Sequence, residues 1–281
     1  MTTTFARTPS STSLARTMLN KVPEVTLFFW IIKIMCTTVG ETAADYLNES
    51  LGFGLTNTTY VTGALLAVLL LAQFRLRKYV PMVYWSAVVV ISVFGTLITD
   101  NLTDGHNVAL TTTTPIFAVI LAVVFGVWYG VERTLSMHSI VTTRREAFYW
   151  LAILFTFALG TAAGDLSAEK LDLGYAVSIA IFGAIIALIA FARYVLRLDP
   201  ILTFWLAYIM TRPLGASIGD EMSQHDHKYG GLGLGTTGTS YIFLGAILAL
   251  VVYLSISKRD QTPPEIVARE VGQVGAPGAH R

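Results

Sequence analysis

Four times in this chain a Trp is followed ten residues later by a Gly and five residues after that by an Asp. The copies are Trp30–Gly40–Asp45, Trp85–Gly95–Asp100, Trp150–Gly160–Asp165 and Trp205–Gly215–Asp220, and they begin 55, 65 and 55 residues apart. A fixed internal period of this length is the signature of a repeat architecture, so the fold has to be assembled from four equivalent units. The extra residues of the middle spacing fall around Met137–Arg145.

Each unit is apolar almost throughout. Only 13% of residues are charged and 54% are hydrophobic, against about 25% charged in a soluble domain. The mean hydropathy is +0.62. Eight apolar stretches stand out, roughly 24–47, 58–76, 82–100, 109–129, 146–166, 174–194, 200–221 and 238–257. Each approaches the ~20 residues that cross ~30 Å of hydrocarbon as a helix. A chain in lipid must satisfy its backbone internally, and long continuous apolar runs do this as helices. The expected fold class is therefore an all-α polytopic membrane protein, with eight transmembrane helices arranged as four parallel two-helix repeats. The expected membrane domain covers 23–258, with repeats at about 24–79, 80–134, 146–197 and 200–258. Disordered cytoplasmic tails are expected at 1–22, rich in Thr, Ser and Arg, and at 259–281, which holds Pro263, Pro264 and Pro277.

Of the nineteen Lys and Arg residues, Lys33 and Arg212 fall within spans and only Lys170 and Lys228 on one side of the membrane; the remaining fifteen fall on the other. The positive-inside rule then puts both termini in the cytoplasm of a bacterial inner membrane. The single cysteine, Cys36, excludes a disulfide framework and a Cys-based metal site.

Because each repeat crosses twice, all four copies share one orientation, related by an axis along the membrane normal. The four Asp residues then lie at one depth near the outer ends of the odd spans, and the four Trp residues near the inner ends. The Trp positions suit an interfacial aromatic belt. The motif glycines suit close helix packing, with Gly63, Gly183 and Gly245 of the return helices as their expected counterparts.

Residues four apart share a helix face. The face of each Asp carries Lys33, Thr37, Glu41, Asp45 and Glu49 in the first repeat, and Ser92, Thr96, Asp100 and Asp104 in the second. In the third it carries Thr161, Asp165 and Glu169, and in the fourth Tyr208, Arg212, Asp220 and Gln224. A charge at the centre of the bilayer costs ~2.5–3.5 kcal/mol or more, so these stripes must face the bundle interior or water. Helix C-termini repel carboxylates, which argues against simple capping by the four Asp. Glu41 is the most distinctive acid, because its counterparts are Thr96, Thr161 and Ala216. Two readings compete for Lys33, Arg212 and Glu41: internal ion pairs that fix helix register, or a site where a cation or proton competes with the internal bases. Glu49, Asp104 and Glu169 serve equally as outer acids of a site or as solvated loop residues. His225 and His227 flank Asp226 in an outer loop, which reads better as a solvated loop than as a metal-capturing one.

The run Gly-Glu-Thr-Ala-Ala-Asp at 40–45, with its three echoes and the Trp ahead of each, resembles the DUF347-type family of bacterial integral membrane proteins, built from four tandem two-helix repeats of unknown function. The resemblance covers about 24–257 and implies the eight-helix layout, but no substrate. The later copies read Gly-Thr-Leu, Gly-Thr-Ala and Gly-Ala-Ser, so a role for Glu41 is not common to the ring.

The residues themselves lead to a secondary transporter or exporter of a cation, with a divalent, Mn²⁺-like metal ion first among cargoes and protons as a coupling ion. Oxygen ligands suit such hard ions, and converging carboxylates hold protons. Glu41, Asp45, Asp100, Asp165 and Asp220 form the expected cation site. Lys33 and Arg212 act as counter-charges, and Thr37, Ser92, Thr96 and Thr161 line the path. A passive cation channel and a non-transporting scaffold or sensor are the alternatives. No enzyme activity and no resident cofactor are expected; the divalent cation enters as cargo. The partners implied are the lipid bilayer and a cation or proton, with no nucleic acid, and an oligomer is left open.

Overall fold

The computed structural model describes residues 20–225 and 231–261. The tail segments 1–19 and 262–281, and the segment 226–230 with Asp226, His227 and Lys228, lie outside the described residues, as do the side chains of Glu49 and Glu169. The expected spans are all helical: α1 Leu27–Asp45, α2 Gly54–Arg75, α3 Pro81–Asp100, α4 Leu110–Glu132, α5 Thr143–Asp165, α6 Tyr175–Tyr194, α7 Pro200–Ser223 and α8 Gly235–Ser257. Each is long and apolar enough to cross a membrane. No strand occurs among the described residues. This is an all-helical, multi-pass membrane protein.

The helix starts follow from local chemistry. Thr26 and Thr142 accept the N–H groups of Phe29 and Arg145, and Asp199 accepts that of Leu202 just ahead of Pro200. Side-chain caps of this kind satisfy orphan donors, and Pro at the first helical position has no N–H to lose. At the other end, α1, α3 and α5 stop at the motif Asp, yet the chain stays helical for one wider, π-helical turn. These turns are Tyr46–Ser50, Asn101–Gly105 and Leu166–Lys170. In the fourth repeat α7 continues as an α-helix to Ser223. In no copy does the Asp cap a free helix end, and in the first three it stands where the regular ladder gives way to a π turn, a feature frequent at functional sites.

The four motif-bearing helices form a closed inner ring, α1 against α3, α3 against α5, α5 against α7, and α7 back against α1. Each outer helix packs on the inner helix of the following repeat: α2 on α3, α4 on α5, α6 on α7 and α8 on α1. The last repeat therefore closes on the first, and the two helices of a hairpin are in lighter contact at most, as α7 and α8 of the fourth are.

The motif glycines make the ring possible. A Cβ on Gly40, Gly95, Gly160 or Gly215 would collide with Ser92, Phe157, Arg212 or Thr37 respectively. Each of those partners stands seven residues after the Trp of the next inner helix. One rule, a Gly admitting the next repeat's side chain, thus holds at all four junctions. The expected counterparts in the return helices are a correction. Gly183 and Gly245 have nothing within 4 Å of a built Cβ, while Gly63 faces Phe94. Each return helix packs mainly on the following repeat, so its glycine does not meet the motif glycine of its own repeat.

The Trp residues also differ from the expected belt. Trp85, Trp150 and Trp205 are buried inside the bundle. The indole of Trp85 donates to the Tyr79 hydroxyl at 3.1 Å, and that of Trp205 to the Leu135 carbonyl at 2.9 Å. Buried indole N–H groups need such partners. Only Trp30 keeps part of its surface exposed. The long connection between repeats two and three is likewise no loose loop. It forms a short 3₁₀ turn, Met137–Ser139, and Met137, Ser139 and Ile140 are buried.

Candidate functional site

Along the ring interior the repeats stack in layers at four-residue steps. From the Trp end these are Phe29, Tyr84, Tyr149 and Phe204, then Lys33, Val88, Ile153 and Tyr208. Next come Thr37, Ser92, Phe157 and Arg212, then Glu41, Thr96, Thr161 and Ala216, and last the four Asp residues. Apart from the half-buried Phe204 and the Asp layer, every one of these side chains is buried.

Arg212 defines the axis, because its guanidinium touches every other repeat. One terminal nitrogen meets the Glu41 carboxylate at 2.8 Å and donates to the Thr161 hydroxyl at 2.6 Å and to the Thr96 hydroxyl. The other reaches the Thr37 carbonyl at 3.5 Å. The Arg212 stem fills the space left by Gly160, and the Phe157 ring lies 5.9 Å from the guanidinium carbon. Side-chain exposure is 0% for Arg212 and 8% for Glu41. Arg presents a planar fork of donors, which suits it to bind three oxygens of three helices at once.

Lys33 lies one layer nearer the Trp end and has a different environment from the one expected. Its ammonium group donates to the Tyr208 carbonyl at 2.9 Å and the Thr211 hydroxyl at 2.5 Å, both on α7. It also sits over the Tyr208 ring, 4.3 Å from the centroid, with the Phe157 ring at 5.3 Å. No carboxylate lies within ion-pair distance of it among the described residues. Of the two expected counter-charges, the structure therefore gives Glu41 to Arg212 alone. Lys33 is held by carbonyl, hydroxyl and aromatic faces, which solvate a cation without neutralising it.

At the far end the motif acids Asp45, Asp100, Asp165 and Asp220 are all half-buried. Asp100 lies within electrostatic reach of Glu41, Asp165, Asp45 and Asp104. The Gln224 amide donates to Asp45 at 3.4 Å, joining the fourth repeat to the first. Asp104 is exposed, in the turn that follows α3. Among the described residues no three His, Cys, Asp or Glu side chains come together closely enough to share a metal ion. The four Asp residues thus stand at one end of the ring without forming a chelate.

The expected path residues are packed, not open. Thr37 donates to its own helix at Ile34 at 2.6 Å, and Thr96 and Thr161 lie 3.4 Å apart on the Asp side of Arg212. The buried Ser92 hydroxyl has no hydrogen-bond partner among the described residues. Sequence reading passed over Phe157 and Thr211, the first because it is apolar, the second because it lies off the four-residue stripe. Phe157 shares the register of Thr37, Ser92 and Arg212, so the register itself was the available signal.

Below the aromatic layer a floor of ion pairs crosses the Trp end. Lys21 meets Glu146 at 2.6 Å with both side chains buried, and Arg145 meets Glu132 at 2.7 Å. Tyr79 donates to Asp260 at 2.6 Å, whose carboxyl is pushed above the usual range by burial, with the Tyr79 hydrogen bond opposing. Between α1, α6 and α7 on the same side runs a groove of about 730 Å³, lined among others by Glu24, Val25, Trp30, Ile34, Phe204 and Thr211.

The family described as Repeat of Unknown Function (DUF347) matches this chain four times, over residues 28–79, 83–134, 148–198 and 203–260. No curated protein and no solved structure matches it.

Proposed function

From the premise that the chain belongs to the DUF347 repeat family, we propose that it is a secondary transporter of a cation along the axis of the inner ring. The observation that carries this reading is the Glu41–Arg212 pair: a buried carboxylate at the axis, held by a tethered cation, directly beneath four motif acids. A cargo cation is drawn in by the Asp mouth, competes with the guanidinium for Glu41, and finds further oxygen ligands in Thr96, Thr161 and the unpartnered Ser92 hydroxyl. Charged clefts with low-dielectric walls concentrate ions of opposite sign in this way. Glu41 and the Asp layer also offer sites for coupled protons.

Hard oxygen donors make a divalent, Mn²⁺-like ion the first cargo to test. Since no chelate is assembled in this arrangement, the metal would complete its ligand shell only when Arg212 moves aside. The same charge distribution supports a bacterial inner-membrane location with the basic Trp end and both termini in the cytoplasm. Arg212 also favours a second reading, a scaffold in which the pair merely ties the four repeats together, because it touches them all.

The test is flux into proteoliposomes loaded with a metal-sensitive dye, with Mn²⁺, Mg²⁺ and Ca²⁺ supplied with and without a pH gradient. Saturable uptake that disappears in Glu41→Gln and falls in Asp45→Asn is expected. Uptake that rises without saturating would point to a channel. Absence of any flux in folded wild type, with Glu41→Gln only less stable, would leave the scaffold.

A further inference from the structure

Inner helices α1 and α5 do not adjoin in the ring; they stand diagonally across its axis, separated by α3 and α7. The segment that leads into α1, Asn20–Thr26, nevertheless reaches α5. Lys21 bonds Glu146 in the first turn of α5 at 2.6 Å and the Phe74 carbonyl at 3.1 Å. Gln73, in the last turn of α2, ties the same site together by donating to the Lys21 carbonyl at 3.3 Å and to Glu146 at 3.2 Å. The backbone N–H of Lys21 donates to Ile140 in the connection ahead of α5. A segment that begins beneath one wall of the ring and is fastened to the opposite wall spans the Trp end of the bundle.

The rest of this strap is held as firmly. Val22 belongs to the main core of the protein, and Asn20, Lys21 and Val22 are buried, although the sequence suggested a tail up to residue 22. Glu24 donates its N–H to the Asp260 carbonyl at 2.8 Å, and its carboxylate lies 3.2 Å from His138. In the aromatic layer of the ring the hydroxyls of Tyr84 and Tyr149 meet at 2.5 Å. The strap residues Glu24 and Val25 also wall the groove whose lining includes Thr211, the hydroxyl bonded to Lys33. Withdrawing the strap would therefore widen an existing groove towards the charged layers.

We propose that Asn20–Thr26 is a gate that closes the Trp end of the ring axis, latched by the Lys21–Glu146 pair. It rests on the transport reading, in which the axis is the path. The latch chemistry suits a reversible closure. A buried pair is lost as a unit, because removing one partner leaves the other charge buried and uncompensated. Gln73, which bonds both the strap and Glu146, makes release of the two concerted.

Cys36 is the chain's single cysteine and is fully buried in α1, so it reports access to the interior without any added label site. The experiment is modification of Cys36 by a small membrane-impermeant thiol reagent, applied to each face of sealed vesicles. Wild type, Lys21→Glu, the milder Lys21→Gln and the charge-swapped Lys21→Glu/Glu146→Lys are compared, with thermal unfolding as a check on folding. The wild type is expected to be protected. Both single variants should label at least about tenfold faster from the basic face, a shift of ~1.4 kcal/mol toward the open form, with labelling from the Asp face unchanged. The swapped pair should regain protection. Unchanged protection in folded Lys21→Gln overturns the gate, and failure of the swap to restore protection overturns the latch. Labelling that follows the expected pattern without cation flux in any variant would reject the transport reading and leave the strap as a closure of the ring.

Discussion

The inner and outer helices are made from the same four repeats and have similar lengths, 19–24 and 20–23 residues, yet their surroundings are opposite. In the inner spans 56–61% of the most apolar window is buried in protein, against 17–28% in the outer spans. The buried ring holds the intramembrane charges Lys33, Glu41 and Arg212. The outer helices expose Val68, Val119, Leu188 and Leu248. In a soluble protein the most apolar helix lies deepest. Here the order reverses, because lipid tails solvate an apolar surface and only protein can solvate a charge. Glycines divide the same way, apart from Gly63 against Phe94. Those of the inner motif are in hard contact with the next helix, while Gly126, Gly183 and Gly245 of the outer helices have open space around them.

The comparison is broken most severely by removing one charge from the axis. Glu41→Ala strands the Arg212 guanidinium, and the loss of one partner of a buried pair costs about 3–5 kcal/mol. A large drop in thermal unfolding temperature in detergent is expected, and an unchanged temperature would mean that the pair is not buried in the folded protein. Replacing both partners by Leu should restore most of that stability, since well-packed apolar groups substitute for a buried pair at little cost. It should still abolish cation flux.

Gly160→Ala comes next. Its Cβ meets Arg212 Cβ at 2.5 Å, close to the backbone, so the two helices must separate. Overpacking of this kind costs about 1–3 kcal/mol. The same measurement on Gly183→Ala, where nothing lies within 4 Å, should change stability by less than about 0.5 kcal/mol. Equal effects at the two glycines would erase the distinction between the rings. Asp45→Asn, at the half-buried mouth, is expected to alter unfolding little while lowering cation uptake. A loss of stability comparable to that of Glu41→Ala would assign the Asp layer a structural role.

Much of the fold was legible because membrane helices leave coarse marks: eight apolar runs, a fourfold motif, and acids that lipid cannot accommodate. The motif glycines could be read as packing points and the stripe containing Lys33, Glu41 and Asp45 as an interior face. What could not be read was which element met each of them. The return-helix glycines were reasonable partners for the motif glycines only if each hairpin closed on itself. The buried Trp side chains looked interfacial because depth along the membrane says nothing about rotation towards lipid or towards a neighbour. Lys33 and Arg212 were chemically interchangeable in the stripes. Only the layer in which each sits gave Glu41 to one and aromatic rings to the other.

The sequence by itself determined that this chain is a four-repeat helical membrane protein of the DUF347 family, with carboxylates placed at one depth by a repeated spacing. Periodicity and hydropathy suffice for that, because they act within a single helix. The tertiary structure alone decided that the repeats close in order into a ring, that each outer helix rests on the next repeat, and that Arg212 stands at the centre. It also placed the segment before α1 beneath the opposite wall. These are contacts between residues as far apart as Glu41 and Arg212 or Lys21 and Glu146, and they depend on which surfaces fit when all eight helices pack at once.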